Sequence, residues 1–111
     1  MDVPEVTPED VGALLEAGAV LLDVREQGEW DAGHVPGASH LPMREVPGRI
    51  DEIPADRRVI ALCRSGARSR AVAEALIGAG YDAVNLAGGM RAWAAADLPV
   101  ETDAGVPGEV I

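Results

Sequence analysis

Short apolar runs, each followed by helical sequence, most constrain what this chain can fold into. Val20-Leu21-Leu22 is unbroken, and Val59-Ile60-Ala61-Leu62 repeats the pattern in "RRVIALC". Both are too short for a helix and lack polar alternation, so each predicts a strand covered on both faces. "YDAVNLAGG" gives a third strand, and Ser39 to Leu41 a brief one. With helical segments between them, the order β-α-β-α-β-α implies an α/β fold with parallel strands and helices on both faces. In such sheets ligands bind beyond the carboxyl ends of the strands. Cys63, the turn after Asp23 and the Gly88-Gly89 turn all stand at such ends.

The helical segments carry their own signals. In "TPEDVGALLEAG", Thr7 can cap, Pro8 suits the first helical position, Asp10 sits where a capping-box partner would, and Gly18 can end the helix. Val11, Leu14 and Leu15 form its apolar stripe. "REVPGRIDEI" is a weaker helix interrupted by Pro47 and Gly48. "GARSRAVAEALIGAG" is the strongest, with Val72, Ala75, Leu76 and Ala79 read as one face, and "MRAWAAAD" is the last. Trp30 and Trp93 are expected to pack in the core beneath their short helices.

A chain of 111 residues, 48% hydrophobic and 25% charged, is one ordinary globular domain. Its net charge of −10 argues against nucleic acid and against an anionic membrane, since both need clustered cations. No stretch approaches the ~20 apolar residues of a membrane span. The acidic start "MDVPEVTPED" is no secretory signal. One Cys excludes a disulfide or a C-x-x-C pair within the chain, and His34 and His40 alone make a metal site improbable. A free thiol fits a reducing cytoplasm, and no cofactor is called for.

That thiol stands where positive charge collects. In "ALCRSGARSR", Cys63 ends a strand, and Ser65 and Gly66 lead straight into a helix. Backbone N–H groups and the positive end of the helix dipole would converge there, lowering the thiol pKa below its free value of about 8.5. A lone Cys is more often a small buried hydrophobe, but this position favours reactivity. Arg70 is expected to pair with Glu74 one turn on. No acidic residue between Arg57 and Glu74 neutralises Arg64 or Arg68, so the segment reads as an anion site. A cysteine phosphatase would need C-x5-R; here the sixth residue after Cys63 is Ser69, and Arg68 comes one place early. The tighter loop leans toward a persulfide on Cys63 over a phosphocysteine.

Three segments together resemble the single-domain rhodaneses, sulfurtransferases of the thiosulfate type. They are "LLDVREQGEWDAGHVPGASHLP" from Leu21, "CRSGARS" from Cys63, and "GGMRAW" with "LPV" from Gly88 to Val100. The resemblance covers residues 5–101 and makes residues 1–101 one rhodanese domain. It implies a mainly parallel five-stranded sheet flanked by helices. It also implies a reaction in which a sulfane sulfur passes from a small anionic donor, through Cys63, to a thiol or protein acceptor. Cys63 is then the catalytic nucleophile. Arg64, Ser65, Gly66, Ala67, Arg68 and Ser69 form the substrate-binding loop, with Arg64 and Arg68 on the donor.

In the first segment Asp23 either holds a loop arginine or stabilises its own turn. Arg25 and Glu29 read as fold-locking partners, His34 as a loop brace, and His40 as structural or exposed. Gly88 and Gly89 would let their turn approach the active loop closely. The tail, residues 102–111, matches nothing in the family and is expected to be flexible or an interface strand. A persulfide carrier that works by docking a partner is the alternative function.

Overall fold

The computed structural model describes residues 2–111. Its five strands form one sheet, every pair parallel. In chain order they are β1 (Glu5–Val6), β2 (Val20–Asp23), β3 (Ser39–His40), β4 (Val59–Leu62) and β5 (Ala83–Leu86). The spatial order is β1-β5-β4-β2-β3. From β2 the chain first moves outward to β3, then crosses back over β2 to reach β4. The direction of winding therefore reverses between β2 and β4, and the carboxyl ends of those two strands frame a crevice. Register is fixed by pairs such as Leu21 with Ile60 and Asp23 with Leu62.

Four α-helices cover the sheet: α1 (Pro8–Glu16), α2 (Gln27–Ala32), α3 (Ala67–Gly78) and α4 (Gly89–Ala95). Side chains alternate across the strands, as a pleat requires. Leu22, Val59, Ala61 and Cys63 join Val72, Ala73 and Leu76 of α3 in one apolar layer. Leu21, Ile60, Leu62, Val84 and Leu86 join Val11 of α1 with Met90 and Trp93 of α4 in the other. Both faces of the central strands are therefore dry, and the unbroken apolar runs are explained.

The helix starts follow local chemistry. At α1 the Asp10 carboxylate accepts from Thr7 N–H and from the Thr7 hydroxyl, both at 3.0 Å. Thr7 and Asp10 together form the capping box that their spacing suggests.

Four expectations need correction. The strand β1 is absent from the periodicity reading, and it is the strand that brings the count to the five of the resemblance. The "REVPGRIDEI" segment forms two 3-10 turns, Met43–Glu45 and Pro47–Glu52, as Pro47 and Gly48 forbid a continuous helix. The buried face of α3 is Ser69, Val72, Ala73 and Leu76, while Ala75 and Ala79 are exposed. Arg70 and Glu74 are both exposed, and no ion pair joins them among the described residues.

The tail read as flexible or interfacial folds back on its own chain. Glu101 pairs antiparallel with His34, at 2.8 and 2.9 Å. Glu109 N–H then donates to Ala32 O at 2.9 Å. No helix among the described residues is long and apolar enough to cross a membrane.

Candidate active site

Cys63 is the first residue past the β4 ladder, at the carboxyl end of a central strand. The chain turns through Arg64, Ser65 and Gly66 into α3. Gly66 caps that helix in the left-handed region, at φ 106°, where a Cβ would be strained. The turn aims donors back at sulfur. Gly66 N–H donates to Cys63 Sγ at 3.1 Å, and Ser69 Oγ lies 3.4 Å from the same atom.

The start of α4 supports the loop from behind. Met90 N–H donates to Cys63 O at 2.8 Å, and Arg91 N–H to Arg64 O at 3.0 Å. A Cβ on Gly89, which sits at φ 56°, would collide with the Cys63 carbonyl and the Arg64 backbone. The close approach read from the paired glycines is therefore present, and it is Gly89 that permits it.

Cys63 is 1% exposed. Burial pushes its pKa up. Hydrogen bonding around the sulfur more than offsets that, so the thiol titrates below its ordinary value. Amides at a helix start stabilise an anion at this atom and leave the sulfur poised as a nucleophile.

The two arginines have partners of their own. Arg68 forms a bidentate pair with Glu29 of α2, at 2.7 and 2.9 Å. Glu29 is held below the usual carboxylate range chiefly by that hydrogen bond, against the opposing effect of burial. Arg68 is pushed up by the same bond and, more weakly, by the Cys63 charge. Arg64 Nε donates to Ile111 O at 2.7 Å. Segments remote in sequence thus engage both cations, which the local charge count around Cys63 does not foresee.

The residues after β2 brace this arrangement. Asp23 and Arg25 form a fully buried pair at 2.8 Å, and Asp23 also accepts Arg25 N–H at 3.0 Å. Asp23 thus does both things read for it: it stabilises its own turn and holds the guanidinium of Arg25, an arginine of that same turn. Arg25 Nη2 continues to Gly33 O at 2.8 Å. Trp30 stacks with His34, ring centroids 3.7 Å apart, and with His40, 4.8 Å apart. His34 Nε2 meets Asp103 Oδ1 at 2.8 Å, so this ring ties its loop to the tail. His40 Nε2 donates to Arg25 O at 2.7 Å and is structural.

One site neighbour lies outside what the sequence reading singled out. Asn85, buried in β5, donates from Nδ2 to Gly66 O and to Glu5 Oε2, both at 3.0 Å, and its Oδ1 lies 2.6 Å from Ser69 Oγ. A lone amide inside the apolar run "AVNL" was the available signal. A hollow of about 460 Å³ opens beside Gly18, Arg57, Arg58 and Asp82. It lies at the amino ends of the strands, away from Cys63, and holds no nucleophile.

The family model described as "Rhodanese-like domain" matches residues 7–96. A protein of Allochromatium vinosum named "Sulfurtransferase" is 46% identical over 82 residues, 73% of this chain and 77% of that one. "Thiosulfate sulfurtransferase GlpE" of Haemophilus influenzae is 32% identical over 103 residues, covering 92% and 98% of the two chains. The crystal structure of a rhodanese-related protein from Thermoplasma volcanium superposes with a TM-score of 0.85 at 26% identity, over 90% of this chain and 99% of that one. Strand order, the thiol loop at the switch between β2 and β4, and these matches agree: this chain belongs to the rhodanese-like domain family.

Proposed function

We propose that this protein is a sulfurtransferase that carries a sulfane sulfur as a Cys63 persulfide. One observation carries the reading: a thiol of lowered pKa at the end of a central strand, inside a ring of amides at the start of α3. The names of the sulfurtransferase relatives support it.

In the first half-reaction the Cys63 thiolate attacks the outer sulfur of thiosulfate or a related persulfide. A bond forms from Sγ to that sulfur, the donor's S–S bond breaks, and sulfite or a thiolate departs with the electron pair. Negative charge moves to the terminal sulfur, where the amides of Arg64 to Ser69 receive it as an oxyanion hole receives oxygen. An acceptor then attacks the terminal sulfur and regenerates the thiolate. Cyanide serves in vitro, and a thiol or protein in the cell. With one Cys per chain, discharge is intermolecular. Arg64 and Arg68 supply positive potential to the donor, and Arg64 is the one that an anion can reach by displacing a single carbonyl contact. No cofactor enters either step. The free thiol suits a reducing cytoplasm.

Incubating the reduced protein with thiosulfate adds about 32 Da, one sulfur, to the Cys63 peptide by the logic of a covalent intermediate. Cys63→Ser abolishes the gain. An unchanged mass under fresh, reduced conditions would overturn the proposal. The second reading, a carrier that docks a partner protein, is favoured by the engagement of both loop cations. Poor turnover of thiosulfate beside stoichiometric transfer to a protein thiol would select it.

A further inference from the structure

The hydroxyl of Ser69 has one hydrogen and three acceptors within reach. Asn85 Oδ1 lies at 2.6 Å, Gly66 O at 3.3 Å and Cys63 Sγ at 3.4 Å. The orientation of the Asn85 amide decides among them. Its nitrogen faces the Gly66 carbonyl and the Glu5 carboxylate, both at 3.0 Å. Reversing the amide would set its oxygen against two acceptors, so Oδ1 must face Ser69. An amide oxygen only accepts, hence the Ser69 hydrogen lies on the 2.6 Å contact. The Ser69 oxygen then turns a lone pair toward Cys63, which suits a thiol S–H as donor and not a thiolate.

We infer that Asn85 is a positioning residue that competes with Cys63 for the single hydroxyl hydrogen of Ser69 and so holds the nucleophile back as a thiol. Ionised sulfur can only accept. Either Ser69 swings its hydrogen to Sγ and strips the buried Asn85 Oδ1 of its donor, or it keeps that bond and points a lone pair at the anion. Both oppose ionisation, since a buried acceptor without a donor is costly. Ser69 lowers the Cys63 pKa only in the first arrangement. In the second, the amides of Ser69, Gly66 and Ser65 supply the lowering.

This inference rests on Cys63 as the sulfur carrier for its meaning in the reaction. Once sulfur is loaded, Sγ is neutral and the charge sits on the outer atom among the loop amides. The hydrogen then returns to Asn85 without conflict. The network therefore penalises the free thiolate and not the persulfide, so it acts on the approach to loading and not on the loaded state. Other charged groups around the thiol are accounted for. Arg68 is bound by Glu29, with Glu26 near it, Arg64 by Ile111 O, and Arg25 by Asp23 at the neighbouring strand end. Glu5 acts through Asn85, and Arg91 of α4 is exposed.

The test is the pH dependence of iodoacetamide alkylation of the reduced protein, followed by mass at the Cys63 peptide. Asn85→Ala should move the midpoint down by about one pH unit, a tenfold gain in thiolate below the midpoint. Ser69→Ala, which deletes one oxygen and retains Asn85, should not raise the midpoint. The double variant should match Ser69→Ala, because Asn85 acts only through that hydroxyl. An unchanged or raised midpoint in Asn85→Ala, or a raised one in Ser69→Ala, would overturn the inference and make Ser69 a plain donor to the thiolate. Alkylation does not require sulfur transfer. A failed thiosulfate mass gain with the shift intact would sink the proposed function alone, and the converse would sink this inference alone.

Discussion

The Glu29 carboxylate controls how much of the Arg68 charge the thiol senses. Its side chain is 17% exposed and that of Arg68 36%, so solvent screens the pair only in part. Glu29→Gln keeps the shape and removes the negative charge. The expected result is a lower alkylation midpoint for Cys63 and a several-fold lower KM for thiosulfate, read from pH-dependent alkylation and steady-state kinetics. Unchanged values for both would show that Arg68 acts only as a brace. The same pair contributes to stability with a defined sign. Glu29 titrates lower folded than unfolded, so its contribution is complete above its ordinary 4.5 and is lost as pH falls through the folded value. Deeper in the molecule, Asp23 and Arg25 are both 0% exposed, and Arg25 Nη1 has no partner among the described residues. Asp23→Ala would leave a buried guanidinium without its carboxylate, at a cost of about 3–5 kcal/mol. Urea unfolding of the variant measures it. A loss below about 1 kcal/mol would place the pair with solvated surface pairs.

At the scale of elements, the loop is shaped by what stands behind it. Gly89 opens α4 at φ 56°, against the Cys63 and Arg64 carbonyls. Gly89→Ala should cost at least ~1–2 kcal/mol from the left-handed penalty alone. It should also slow alkylation of Cys63 several-fold by pushing the loop off the Met90 and Arg91 amides. Equilibrium unfolding and alkylation rate at one pH report the two effects separately, and a normal rate would show that the loop keeps its shape without α4. The elements themselves divide by how local their causes are. The runs Val20–Leu22 and Val59–Leu62 could be read because an unbroken apolar stretch at a sheet centre is fixed by burial alone. The two-residue β1 could not, since Glu5 and Val6 show no period and form a strand only by pairing with Asn85 and Leu86. The face of α3 was displaced because Ser69 is buried by Asn85 and Cys63, which no hydrophobic count registers. The same division holds at the site. The thiol, the glycine turn and the helix start are consecutive in the chain and were legible. The Arg68–Glu29, Ser69–Asn85 and Arg64–Ile111 contacts span 39, 16 and 47 residues, and only strand pairing and the docking of the tail bring such segments together.

Across the whole molecule, the tail couples the far side of the α2–β3 loop to the thiol loop. Glu101 is pinned by the His34 backbone, Asp103 meets the His34 ring, and Glu109 is pinned by Ala32. Ile111 then reaches Arg64. The joint works because two glycines face each other: a Cβ on Gly33 would lie 2.6 Å from Glu109 N, and one on Gly108 would lie 2.7 Å from the Gly33 Cα. Gly33 is extended, so Ala is acceptable to its own backbone, and what must give way is the tail backbone at Glu109 and the Val100 side chain. Gly33→Ala should therefore detach the segment around Glu109 and leave the sheet intact. Hydrogen exchange at the Glu109 amide should accelerate at least tenfold, while the amides of β4 hold their protection. If the tail also restrains Arg64, the KM for thiosulfate falls in the same variant. Gly28→Ala is the matched control, because nothing lies within 4 Å of that position and its backbone is unstrained. Unaltered exchange at Glu109 would mean that the tail yields to a methyl group without letting go. Faster exchange with unaltered kinetics would mean that Arg64 receives its anion with the tail in place.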